Sequence, residues 1–193
     1  MKLYTALDVS LRSVAICVVN EHGEVQYEAK VEADVQRIVT CLRSFSAELK
    51  VVGFEAGTLT QYLIYGLQAA GFEVICLEAR QVSAALAAMR NKTDRNDARG
   101  IAQILRTGWY SRVHVKSLES HQLRLLLSSR KAVLAKCVDL ENELRGLLKV
   151  FGIRLASKVP RGAFDATLHP LIKNDPMVAR SLLPMLAARV VGR

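Results

Sequence analysis

No apolar run in this 193-residue chain approaches the roughly 18 residues that a membrane-crossing helix needs. The first ten residues do not read as a signal peptide, because a lone Lys2 leads into a strand-like stretch that carries Asp8. Cysteine is scarce and scattered: Cys17, Cys41, Cys76 and Cys137 show no CxxC spacing, which excludes a secreted disulfide scaffold and a structural zinc site. Each cysteine sits in an apolar stretch, as small buried thiols do in a reducing cytosol. What is present is a core-forming composition, 51% hydrophobic and 23% charged, sufficient for one ordinary domain and an appendage and incompatible with wholesale disorder. Lys and Arg number 27 against 18 Asp and Glu, a net charge of +9. That surplus points to a polyanionic partner, most simply nucleic acid, with an anionic membrane surface as the other attractor.

Acidic residues are also unevenly missing. Residues 1–79 carry 6 basic and 10 acidic side chains, whereas residues 80–116 carry 8 basic ones (Arg80, Arg90, Lys92, Arg95, Arg99, Arg106, Arg112 and Lys116) and only Asp94 and Asp97 as acids. Two carboxylates thus stand almost alone among arginines. The bland alternative for such a run is a solvated face.

Two Val- and Ile-rich runs, residues 3–9 and 13–20, and an alternating run at 25–31 after the turn signal Glu21-His22-Gly23-Glu24 predict a three-stranded antiparallel meander. Helical spacing follows over 34–49, a buried strand over 51–54, a helix over 58–70 closed by Gly71, and a strand over 72–77. Helices are expected over 81–90 and 94–106, with a break at 91–93 and a stop at Gly108. The order β-β-β-α-β-α-β-α predicts an α/β fold, a mixed sheet flanked by helices, in the manner of ribonuclease H. Actin-like ATPase domains share the opening of that order. They require two such domains and Gly-rich phosphate loops, which 193 residues do not accommodate; ATP binding would be their signature.

Glycine and proline are absent from residues 120–145, where Leu123, Leu126, Val133, Cys137, Leu140, Leu144, Leu147 and Phe151 keep a heptad register broken once by Arg130. A long helix able to zip with a partner is expected, or else one packed back on its own domain. Pro160, Gly162, Pro170 and Pro176 break up the next region before a last helical stretch over 177–191, which suggests a chain that stops mid-structure.

Asp8 ends the first strand, and Glu55 lies just past the end of the fourth; if those strands are neighbours, both carboxylates enter one crevice. Asp94 and Asp97, three apart, share one helix face. Four carboxylates from three segments would suit two hard divalent cations, Mg²⁺ or Mn²⁺, able to clamp the attacking and leaving oxygens of a phosphodiester. Separately, Asp8 could be a turn residue, Glu55 a solvent-facing one, and Asp94 and Asp97 a helix cap and its first turn.

The segments Leu7-Asp8-Val9-Ser10, Phe54-Glu55-Ala56-Gly57 and Asn91-Lys92-Thr93-Asp94-Arg95-Asn96-Asp97-Ala98 resemble the signatures of DEDD transposases, the insertion-sequence one-ten family that includes Piv-type invertases. Residues 123–152 are similar to the coiled coil that follows this domain in the family, and the resemblance covers roughly residues 1–160. It implies a RuvC-like domain over 1–117, a coiled-coil dimerisation helix over 118–152, and over 153–193 the start of a linker to an absent C-terminal domain that carries a nucleophilic serine. By the same resemblance Asp8, Glu55, Asp94 and Asp97 form a catalytic, metal-binding tetrad, while Arg80, Arg90, Lys92, Arg95, Arg99 and Arg106 contact nucleic-acid phosphates. The implied activity is excision and insertion of an insertion sequence by strand exchange, in a bacterial or archaeal cytoplasm at the nucleoid. Its implied partners are insertion-sequence ends, target DNA, an element-encoded guide RNA and a second copy of the chain. A non-catalytic nucleic-acid-binding and dimerisation fragment, or a RuvC-type junction endonuclease, are the alternatives.

Overall fold

The computed structural model describes residues 2–45, 48–87 and 93–191, apart from the side chains of Arg161 and Val191. It divides into two compact units, Met1–Leu118 and Glu119–Arg193.

The first unit is built on five strands: β1 (Leu3–Val9), β2 (Ser13–Asn20), β3 (Val25–Glu32), β4 (Leu49–Glu55) and β5 (Val74–Leu77). They lie in the order β3-β2-β1-β4-β5. The first three pair antiparallel, as the alternating β-branched runs predict, and β4 and β5 add on in parallel. Parallel neighbours need crossovers, which α1 (Val35–Leu42) and α2 (Thr60–Ala69) supply on one face, while the helices that follow β5 cover the other. Leu7, Ile16, Val18, Val52 and Phe54 face α1 and α2. Ala6, Ala15, Cys17, Val19 and Val51 face α3 (Ala79–Leu86) and α4 (Asp94–Thr107). A mixed five-stranded sheet in this order between helical layers is the ribonuclease-H-like fold that the element order predicts.

The first helix is shorter than the 34–49 its spacing suggests. Asp34 caps α1 by accepting from the Arg37 amide, and a 3-10 turn, Arg43–Phe45, follows it. Leu49 fits the helical period but belongs to β4, opposite Leu3. The third helix begins at Ala79, before residue 81, because Glu78 accepts from the Gln81 amide as its cap.

In the second unit α5 (Leu118–Lys149) is one helix of 32 residues, with Gly152 at positive φ just beyond it. Two more helices follow, α6 (Phe164–Ile172) and α7 (Pro176–Val191). Leu144 and Leu148 bury against Phe164, Leu168 and Ile172 of α6 and Val178, Leu182 and Leu186 of α7. The C-terminal half of α5 is therefore packed on its own unit. Its N-terminal half exposes Leu123, Leu125, Leu126 and Leu127. Buried in the same unit, Arg189 bonds Glu141 at 2.6 and 2.8 Å and Asp165 at 3.0 and 3.1 Å, and it stacks on the Phe164 ring. Among the described residues no helix is long and apolar enough to cross a membrane.

Candidate metal and nucleic-acid site

The sheet register decides where the carboxylates point. Side chains alternate along a strand, so Asp8 shares the face of Ala6, and Glu55 that of Val51 and Gly53. Leu7 pairs with Phe54 across β1 and β4, which brings Asp8 and Glu55 side by side one residue on. Asp8 is next to last in β1, and Glu55 is the last residue of β4, not one past its end as the sequence suggests; both are half-buried, and both line a cleft of about 320 Å³ with Ser10, Leu11 and residues 56–60. Beyond Asp8 the chain turns tightly, the Ser10 hydroxyl donating to the Ser13 carbonyl at 2.8 Å.

Helix α4 delivers the other two. Its buried stripe of Ala98, Ile101, Ala102 and Leu105 is headed by Asp94 and Asp97. It settles close because the residues beneath are small: Ala6, Ala15 and Gly53, the last so near Leu105 that a methyl group there would overlap it. Capping belongs to Thr93, whose hydroxyl accepts from the Asn96 amide at 3.2 Å. Asp94 is thus the first helical residue and not the cap, and it and Asp97 also gain from the helix dipole.

The charges of the other three groups act on Asp8. Burial pushes the Asp8 carboxyl up to about 6, and the charges of Asp97, then Asp94, then Glu55 add to the rise, partly offset by Lys30. Lys30 donates to Asp94 at 2.6 Å and holds that carboxyl below its ordinary value. Among the described residues no three His, Cys, Asp or Glu side chains stand close enough to hold a metal ion as they are. The donor set, four carboxylates, is nevertheless of the hard-oxygen chemistry that a divalent cation takes.

The predicted phosphate-binding residues have separate fates. Arg80 is exposed at the start of α3. Arg95 and Arg99 both grip Glu28 of β3, Arg95 through Nε at 2.7 Å and through Nη2, and Arg99 at 2.5 and 2.9 Å. These bonds hold the Glu28 carboxyl down at about 2. Arg106 donates to Gln103 at 2.8 Å and to the Glu21 carbonyl at 3.4 Å. Arg90 and Lys92 lie outside the described residues. The sequence reading passed over Glu28 and Lys30, whose place opposite α4 follows from β-pairing and not from local pattern.

The first unit thus has a ribonuclease-H-like strand order, with Asp8 and Glu55 at the C-terminal ends of its neighbouring central strands. A family model described as Transposase, that of the IS110-type DEDD transposases, matches residues 5–153, and the chain belongs to this family. A curated relative, the transposase for insertion sequence element IS1111A of Coxiella burnetii (strain RSA 493 / Nine Mile phase I), is 27% identical over 157 residues. The match takes in 80% of this chain and 41% of the relative, so the chain spans about two fifths of that protein's length. Among solved structures, T. thermophilus RuvC in complex with Holliday junction substrate aligns with a TM-score of 0.46 and 14% identity, over 58% of this chain and all of that one. A Thermus thermophilus RuvC structure gives 0.44 and 14%, over 57% and 99%.

Proposed function

We propose that the Met1–Leu118 unit is the metal-dependent strand-cleaving core of an insertion-sequence transposase, with Asp8, Glu55, Asp94 and Asp97 as its metal-binding tetrad. The observation that carries this reading is the convergence of three segments on Asp8. Glu55 stands beside it on the neighbouring strand, and Asp97 and Asp94 act on it from the first turn of α4. When bound, a pair of divalent cations, Mg²⁺ or Mn²⁺, would neutralise the phosphodiester and stabilise its attacking and leaving oxygens. The chain's own part is positioning. Asp8 and Glu55 are fixed at the ends of buried strands, and Asp97 is half-buried on a helix locked to the sheet, so the donors are held on rigid elements.

Arg80 and the arginines of α4 would steer a polyanion toward this edge and contact its phosphates, with Glu28 setting how far Arg95 and Arg99 are free to do so. Family membership supports DNA as the substrate, namely insertion-sequence ends and target, with an element-encoded RNA guiding selection. The leucines exposed on the first half of α5 support self-association through a coiled coil at Leu123, Leu126 and their neighbours. Sedimentation of the chain against a Leu123→Lys/Leu126→Lys variant tests this, a dimer in the first and a monomer in the second being expected.

The activity itself is tested by nicking of duplex and branched DNA in Mg²⁺. Strand breaks by the parent chain, reduced at least about a hundredfold in a normally melting Asp97→Asn variant, are expected. Equal nicking by both chains would contradict the tetrad. DNA binding without any nicking would favour the other reading, a nucleic-acid-binding and dimerising unit.

A further inference from the structure

The register that aligns Asp8 with Glu55 also brings a lysine to the site. Ala15 stands opposite Asp8 on β2, and Lys30 stands opposite Ala15 on β3, so the three form one row across the antiparallel strands. Residues of one cross-strand row share a face, here the face that α4 covers. The methyl group of Ala15 leaves the space between Asp8 and Lys30 clear, and the lysine spans from the sheet to Asp94 on the first turn of α4. Stability does not account for this pair. Both side chains are 59% exposed, and solvent-screened pairs of that kind add little to stability. What is distinctive is its position. It occupies an oxygen of one proposed metal ligand, and its charge is felt by a second, Asp8. Among the described residues no three carboxylates stand close enough to enclose an ion.

We propose that Lys30 is the resident counter-cation of the carboxylate site, holding Asp94 while no metal is bound and yielding it when a divalent ion enters. The inference rests on the tetrad reading above. Lys30 does two things in this account. It neutralises part of the repulsion among the four carboxylates of the metal-free protein, and it competes with the incoming ion for Asp94. A lysine suits the task because its ammonium is a compact charge on a flexible stem that can swing out to solvent, where a forked guanidinium would hold a carboxylate bidentately. Metal affinity in this chain is therefore set partly by a residue of an outer strand that is not itself a ligand.

The test is calorimetric titration of Mn²⁺ into the chain and into Lys30→Met and Lys30→Gln variants, with the melting temperature of each followed without and with the ion. Both variants are expected to bind Mn²⁺ about tenfold more tightly than the parent, because a competitor and a like charge have been removed. Both should show a larger rise in melting temperature than the parent when saturated with the ion. Structural damage would weaken binding, so tightening is not a result that a misfolded variant can mimic. If the parent binds and the variants bind equally or more weakly, the role of Lys30 is overturned while the tetrad stands. If neither parent nor variants bind, the tetrad fails and the inference falls with it, a pattern distinct from the first.

Discussion

Asp8 is the residue on which the site turns. A carboxyl raised to about 6 from an ordinary 3.8 keeps its proton in the folded chain over a range where the unfolded chain has lost it. The sign follows: between about 6 and about 4 the folded state binds more protons, so the metal-free protein gains stability as pH falls through that window. Glu28, held down at about 2 by Arg99 and Arg95, acts in the opposite sense. Its contribution is complete above about 4.5 and is lost as pH falls toward 2. Melting temperature against pH, without metal, should therefore rise from pH 7 toward pH 5 and drop below pH 4. Asp8→Asn should flatten the upper limb and raise the metal-free melting temperature at pH 7 by a few degrees, because it removes a partly desolvated charge from among like charges. A variant that melts lower at pH 7 would show that Asp8 is not in a repulsive cluster. The carboxylates were legible in the sequence one at a time, from their places at element ends. Lys30 and Glu28 were not, since an alternating strand shows which residues share a face but not what lies across from them.

At the scale of elements, site geometry depends on how closely α4 lies on the sheet. Gly53, Ala6 and Ala15 from the strands meet Ala98 and Ala102 from the helix, a contact of small residues with Leu105 filling the place a Gly53 side chain would take. Gly53→Ala should cost about 1–3 kcal/mol in chemical denaturation through overpacking. It should also weaken Mn²⁺ binding as α4 and its two aspartates are pushed away; an unchanged affinity would mean that the helix is not what sets the donor spacing. The strands of the meander could be read to within a residue because turn and alternation signals bracket them. The first helix was overextended because Leu49 satisfies both a 3.6-residue period and a strand, and only its pairing with Leu3 decides between them. Helix α6 was missed for a different reason: Pro170 lies inside it and Pro160 and Gly162 just before it, so local breakers outweighed a hydrophobic face whose partners are on α5 and α7. The heptad pattern of α5 was legible, but its division into a half covered by α6 and α7 and a half left exposed depends on those later helices. Arg189 ties that packing together. Arg189→Ala should destabilise the second unit by about 3 kcal/mol or more, because it leaves Glu141 and Asp165 without the buried cation between them. Loss of less than about 1 kcal/mol in urea denaturation would show the network to be incidental.

For the whole molecule, charge and fold divide the labour. The acidic residues of the first 79 positions supply half of the carboxylate set, and the basic stretch that follows carries the other two aspartates among arginines. A net charge of +9 can draw any polyanion, and only the site distinguishes a nuclease from a binding protein. Family membership supports the proposed reaction, and the tetrad is the physical claim on which a role for this chain in it rests. It is tested most directly by calorimetric titration of Mn²⁺ and Mg²⁺ into the chain and into an Asp94→Asn/Asp97→Asn double variant, with folding followed by circular dichroism. The account predicts binding by the parent that vanishes in a variant of unchanged fold. Equal behaviour of the two would contradict it, leaving Asp94 and Asp97 as residues that serve only the first turn of a helix.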